Sequence, residues 1–301
     1  MRQMIFLLLL CYAAATPHAE VEITPSEVYA QVLLVERETE LVRRFTKPTA
    51  PPPTWQSVKA DIRPRHVWQE CYMVQMKIIA FRRSQGMVAL TPTTVEPRRD
   101  YDPRLNWAQA QRILTEIRFL RKVMGIPGET GIAPPVKDKQ PIDVYNKLCE
   151  IEVQWDDLAG ITVDSSLPFA QVLRLNEDVN AIIRKLNILD NAMPPANRPD
   201  AKMADSLAEA FLVLEQVQRL QRLAGLEIID FSPFRRTEGV TANHVFNLIC
   251  LTLAELQQVK AQLGLIHTIT PPATYQENKT PTDVVQFLGY VANKLRLISQ
   301  L

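Results

Sequence analysis

The chain is poor in the residues that build reactive sites. Its 301 residues include four histidines, four cysteines and nine glycines. His18, His66, His244 and His267 form no His-x-x-x-His or Glu-x-x-His pair, so neither a helical zinc site nor a di-iron bundle site has its ligands. His66 and His244 occupy equivalent first-turn positions, where an exposed polar residue is the ordinary reading. No Cys-x-x-Cys occurs, which leaves a structural zinc and a covalently attached haem without support. The densest glycine group, Gly125-Ile126-Pro127-Gly128-Glu129-Thr130-Gly131, lacks the lysine and the preceding strand of a phosphate loop and reads as a helix stop and turn. A Gly-x-Ser-x-Gly elbow is also missing. Asp156-Asp157 is an adjacent pair, and Glu150 and Glu152 flank an apolar stripe where solvent should reach them. The expectation is a protein that is not an enzyme, with no cofactor and no metal.

Charge of one sign is equally scarce. The net charge of +1 offers no concentrated basic surface, so no nucleic-acid partner is expected. Long apolar runs are confined to the N-terminus. Met1-Arg2-Gln3 is a short basic start, Met4 to Tyr12 an apolar stretch, and Ala13-Ala14-Ala15 supplies small residues, the pattern of an export signal. Residues 1–19 are assigned to it, with cleavage after Ala15 or Ala19. A retained anchor is the competing reading. Lipidation at Cys11 is disfavoured by the bulky Leu10 before it. The mature chain is then expected in the periplasm or outside the cell, with no membrane span once the signal is gone. Cys71, Cys149 and Cys250 remain, each beside or on a helical stripe, and are expected to be buried packing residues rather than a disulfide.

What the sequence does have is a repeated helix cassette led by proline. Pro25, Pro64, Pro141 and Pro281 each open a stretch in which positions +3, +7, +10, +14 and +17 fall on one helical face. These read Val28, Val32, Val35, Thr39, Val42; Val67, Cys71, Val74, Ile78, Phe81; Val144, Leu148, Ile151, Trp155, Leu158; and Val284, Leu288, Val291, Leu295, Ile298. Thr39 is the one polar slot. Proline suits a first turn because its missing N–H has no intrahelical acceptor to lose. Weaker copies span Asn106 to Met124, Phe169 to Leu189, Ala204 to Ala224 and Ala242 to Leu263. The fold class is therefore all-α, with eight amphipathic helices of a Pro-x-x-Val-Tyr type of cassette. The basic pairs Arg43-Arg44, Arg82-Arg83 and Arg121-Lys122 lie in last turns, where they would offset the helix dipole on a solvated surface.

Most connections have 14 to 20 residues and are rich in proline, long enough to run back along a whole helix as extended straps. Sequential helices are thus free to lie parallel. The exception is the short joint Gly160 to Leu167. The two halves echo each other at an offset near 140, with Val28 answering to Val172 and Val144 to Val284. This predicts two tandem four-helix units, residues 20–160 and 161–301, with a continuous eight-helix array as the alternative.

The function expected from these features is that of an exported, non-catalytic helical-repeat protein of the cell envelope, a structural or protein-interaction module. The alternative is a periplasmic sensor or carrier of a small ligand held within a helical bundle. Tyr29, Trp68, Tyr145 and Trp155 are the candidates to line such a site, although large residues capping a core would look the same. Partners would be envelope proteins of unknown identity. Leu297 and Leu301, on a C-terminus without a polar tail, are the candidate surface for self-association or for a clasp on the first unit.

Overall fold

The computed structural model describes residues 22–47, 54–88, 97–98, 101–128, 130–161 and 163–300. The proposed signal, with Cys11 and the cleavage positions, lies outside them, as does Leu301. The described chain forms eight α-helices: α1 (Pro25–Thr46), α2 (Pro64–Ser84), α3 (Pro103–Met124), α4 (Pro141–Ala159), α5 (Ser166–Lys185), α6 (Met203–Leu223), α7 (Ala242–Gln262) and α8 (Pro281–Ile298). A single 3-10 turn spans Ser232–Phe234, and no strand occurs among the described residues. The four prolines of the cassette each begin their helix, and Pro103 adds a fifth that the pattern missed. The cap residues are in extended conformation, and Thr24 and Asp102 accept backbone N–H groups of the first turns they precede.

Every residue of the four stripes is buried except Leu158, which is half-buried. Thr39 is buried too, because its hydroxyl donates to the Val35 carbonyl at 2.9 Å and accepts from the Trp155 indole at 3.1 Å. The polar slot is thus satisfied locally.

Helices α1 to α4 pack as a square in which α1 and α2 each touch α3 and α4. Helices α5 to α8 repeat this, with α5 and α6 each touching α7 and α8. Within each square the helices run parallel. Trp68 near the start of α2 packs with Tyr101 and Leu105 at the start of α3, and Arg82 near the end of α2 stacks on Phe119 near the end of α3. In the second square Phe169 meets Phe287 near the starts of α5 and α8, and Lys294 meets Asn180 further along.

Parallel order requires each connection to return the length of a helix, and the straps do so. The segment after α3 passes Glu38 on α1 through Thr130 and reaches Ser26, at the start of α1, through the Lys139 N–H. The segment after α7 follows α5 in the same way, from Thr270 on Asp178 to Lys279 on Ser166. The correspondence is close. Lys139 lies 4.6 Å above the ring of Tyr29, and Lys279, 140 positions later, lies 4.5 Å above the ring of Phe169. This register puts Val172 in the place of Val32 and corrects the pairing of Val172 with Val28 by one helical turn: α5 begins at Ser166, before Pro168 rather than at it.

The solvated reading of the basic pairs is corrected for one member of each. Arg43 is buried on Asp157, Arg121 is buried on Glu38 and three carbonyls of the following strap, and Arg82 is buried against Phe119. The strap and the neighbouring helix close over these last turns, so the guanidinium serves acceptors that solvent would otherwise serve.

A cavity at the junction of the two squares

Gly160 ends α4 in left-handed conformation, and Asp164 accepts the Ser166 N–H at 2.8 Å to start α5. The joint is too short to return along a helix, so the second square runs opposite to the first. Consequently α2 and α7 meet antiparallel across the junction. Arg65 and His66 of α2 touch Glu255 of α7 at one end, and Lys77 lies 5.1 Å from the centroid of Phe246 at the other.

Between α2, α5, the start of α7 and the strap after α7 lies a cavity of about 580 Å³, within the range of small-molecule sites. Its apolar wall is Tyr72, Met73, Met76, Ile79 and Phe246 with Leu167 and Ala170, and Ala273 and Tyr275 of the strap cover it. Lys77, Arg83 and Arg174 bring positive charge to it and Asp164 negative charge. Arg174 is 2% exposed. Its Nε donates to the Pro271 carbonyl at 3.1 Å, Nη1 donates to Gln171 Oε1 at 2.7 Å, and the guanidinium stacks 4.7 Å from the centroid of Tyr72. Among the described residues no carboxylate lies within ion-pair distance of it.

Lys77 differs in this respect. Its ammonium is bonded to Asp156 and lies 3.6 Å from Glu152, and these charges raise its pKa against the opposing effect of burial. Behind it, burial and the Glu152 charge push the Glu70 carboxyl well above the usual carboxylate range. Burial raises Asp156 to about 7. Both shifts favour the neutral form of these buried carboxyls over the charged one. The expectation that Glu152 is solvated is corrected: α2 packs directly over that face of α4.

At the other end of the junction, burial pushes Glu255 upward, but bonds from His66 and Arg65 outweigh it and hold the carboxyl at about 2. Gln221 of α6 is a third partner, donating at 2.5 Å. The Arg63 N–H donates to His66 Nδ1 at 2.9 Å, so the Nε2–H faces Glu255. His66 is accordingly a buried cap residue, not the exposed one expected of it. His244 accepts the Thr241 N–H at 2.9 Å in the same manner at the start of α7. Antiparallel packing sets the two histidines at opposite ends of the helix pair. No group of His, Cys, Asp or Glu among the described residues is arranged to hold a metal. None of the helices there is long and apolar enough to cross a membrane.

The four aromatic candidates are not brought together. Trp155 is buried within the first square against Phe81, with ring centroids 5.4 Å apart, and Tyr145 is buried against Phe234 at 6.5 Å. Trp68 packs with Tyr72, Met73 and Phe246 beside the junction cavity without lining it. Tyr29 is half-buried and lines a different cleft, about 690 Å³, between α4 and the strap before α2. That cleft is walled largely by Lys59, Asp61, Asp143, Lys147, Glu150 and Asp230, a solvated mixture of charge. Leu297 is half-buried on α8, whose neighbours are α5 and α6 rather than the first square. The cavity residues Lys77 and Arg174 escaped the sequence reading. Their signal was a cation in mid-helix between apolar residues, as in Met76-Lys77-Ile78 and Leu173-Arg174-Leu175, rather than in a last turn.

Comparison with protein-family models, curated proteins and solved structures finds no match to this chain.

Proposed function

We propose that the protein is an exported, non-catalytic binding module that holds a small molecule between two tandem four-helix units. The observation that carries this reading is the junction cavity, with an apolar wall from Tyr72, Met73, Met76, Ile79 and Phe246 and a buried guanidinium that no carboxylate among the described residues neutralises. Such a space is costly for the folded protein to keep: apolar surface is left without packing partners, and a cation is left without a counter-charge. A ligand would offset both. The recurrence of the strap contacts at an offset of 140 supports a duplicated unit whose two copies have come to form a site at their seam. The groups at the cavity also favour binding over reaction. Lys77 is committed to carboxylates, the Glu70 carboxyl is buried behind it, and His66 and His244 cap helices elsewhere.

The test is to recover the protein from cells under native conditions and weigh it by native mass spectrometry, beside an Ala80→Phe variant. Ala80 lines the cavity, and a phenyl ring there would fill it. A small-molecule adduct on the wild type that the variant loses supports the proposal. Equal adducts on both proteins would move the site elsewhere. The intact mass also reports export: a chain starting after Ala15 or Ala19 agrees with signal removal, and one starting at Met1 refutes it.

A further inference from the structure

Arg174 is not required by the architecture that surrounds it. The corresponding position of the first square, 140 residues earlier, is Leu34, which is buried in a helix that makes the same strap contacts. The fold therefore accommodates an apolar side chain at this place, and α5 has an arginine instead. Burial of the guanidinium is only partly offset by two neutral oxygens and the face of Tyr72. The neighbouring cation does not compete for the same counter-ion, because Lys77 already faces Asp156 and Glu152. A buried, unneutralised guanidinium thus stands at the wall of a space that Arg83 and Asp164 also line and in which Met73 and Met76 supply adaptable surface.

We infer that the cavity takes a free, single-chain anionic amphiphile, with its one negative head group paired to Arg174 and its apolar body along Met73, Met76 and Phe246. This rests on the reading of the junction cavity as the binding site. A planar carboxylate or a sulfonate matches the guanidinium fork, whereas a cationic head would meet Arg174 and Lys77 at close range. A neutral chain would gain the apolar contacts and leave the arginine as it was.

Titration calorimetry with decanoate, 1-decanol and decyltrimethylammonium, each below its aggregation limit, tests the inference. Decanoate should bind the wild type with one-to-one stoichiometry and at least about tenfold more tightly than either analogue. Arg174→Met should lose that preference while Arg174→Lys keeps most of it, and thermal melting should report whether each variant is folded. Ala80→Phe should bind none of the three. If the three probes bind the wild type equally, or if Arg174→Met keeps the preference, the anionic class is overturned while the cavity stands as a site. If Ala80→Phe, melting as the wild type does, binds decanoate unchanged, both readings fall. Failure of the folded wild type to bind any probe likewise overturns the inference. Sedimentation with phosphatidylglycerol vesicles distinguishes a membrane surface from a free molecule: co-sedimentation undiminished in Ala80→Phe would refute the free single-chain ligand.

Discussion

Lys260 of α7 donates to Asp178 of α5 at 2.5 Å, in the second square, where the first square has Arg121 of α3 on Glu38 of α1. Each carboxylate also accepts a hydroxyl from the strap that covers it, Thr270 and Thr130 respectively. A buried acid held by a cation from the neighbouring helix and a threonine from the returning chain thus fastens both straps. Removing one partner of such a pair leaves a buried charge uncompensated. Lys260→Met should cost about 3–5 kcal/mol in urea unfolding. The double variant Lys260→Met with Asp178→Leu should recover most of that loss. A double variant no more stable than the single one would show that the pair acts through packing alone.

Helix α8 contains a glycine where the rules of helix propensity favour alanine by about 1 kcal/mol. Here the sign should reverse. A Cβ on Gly289 would stand 2.7 Å from Cγ of Pro195, in the strap between α5 and α6, and 3.2 Å from Glu209 Oε1. The proline ring has little room to yield, so Gly289→Ala should destabilise by about 1–3 kcal/mol. A raised melting temperature would mean that this strap does not lie against α8.

The buried acids at the junction give stability a definite dependence on pH. Burial and Glu152 raise Glu70, and burial raises Asp156 to about 7. Carboxyls raised in the folded state bind protons more tightly there than in the unfolded chain. Their contribution is fully present below the unfolded pKa, about 4, and is lost as pH rises through the folded values, about 7 for Asp156. His66 acts in the opposite sense, since burial lowers its pKa and the unfolded chain takes up the proton first as pH falls. Glu70→Gln isolates the first effect, because an amide of the same shape has no proton to lose. The variant should gain stability relative to the wild type as pH rises above the unfolded carboxyl value in chemical denaturation. A difference that is independent of pH would rule out a raised Glu70 carboxyl.

Cys71, Cys149 and Cys250 are buried and free, and burial pushes all three thiols up. A thiol-specific disulfide reagent should leave them unmodified in the native protein and label them together on unfolding. Rapid labelling of any of them in the folded state would show that the junction opens on the time scale of the assay.

Much of this architecture is legible in the sequence, and each legible part is local. A proline fixes its own φ and needs no partner, so Pro25, Pro64, Pro141 and Pro281 mark helix starts on sight. A stripe recurring at steps of three and four identifies the buried face whatever it faces, which is why Val28 to Val42 and Val284 to Ile298 are read without a structure. Strap length likewise permits parallel helices. The sequence alone thus determined the helical class, the core faces and the range of the connections. Only the tertiary structure decided which helix lies against which, that the short joint after Gly160 turns the second square against the first, and that Arg174 faces a cavity rather than solvent. Those outcomes depend on distant groups meeting. Whether Glu152 is solvated, His66 exposed or Arg121 free is set by the helix or strap that covers it, and no periodicity within the residue's own segment carries that information.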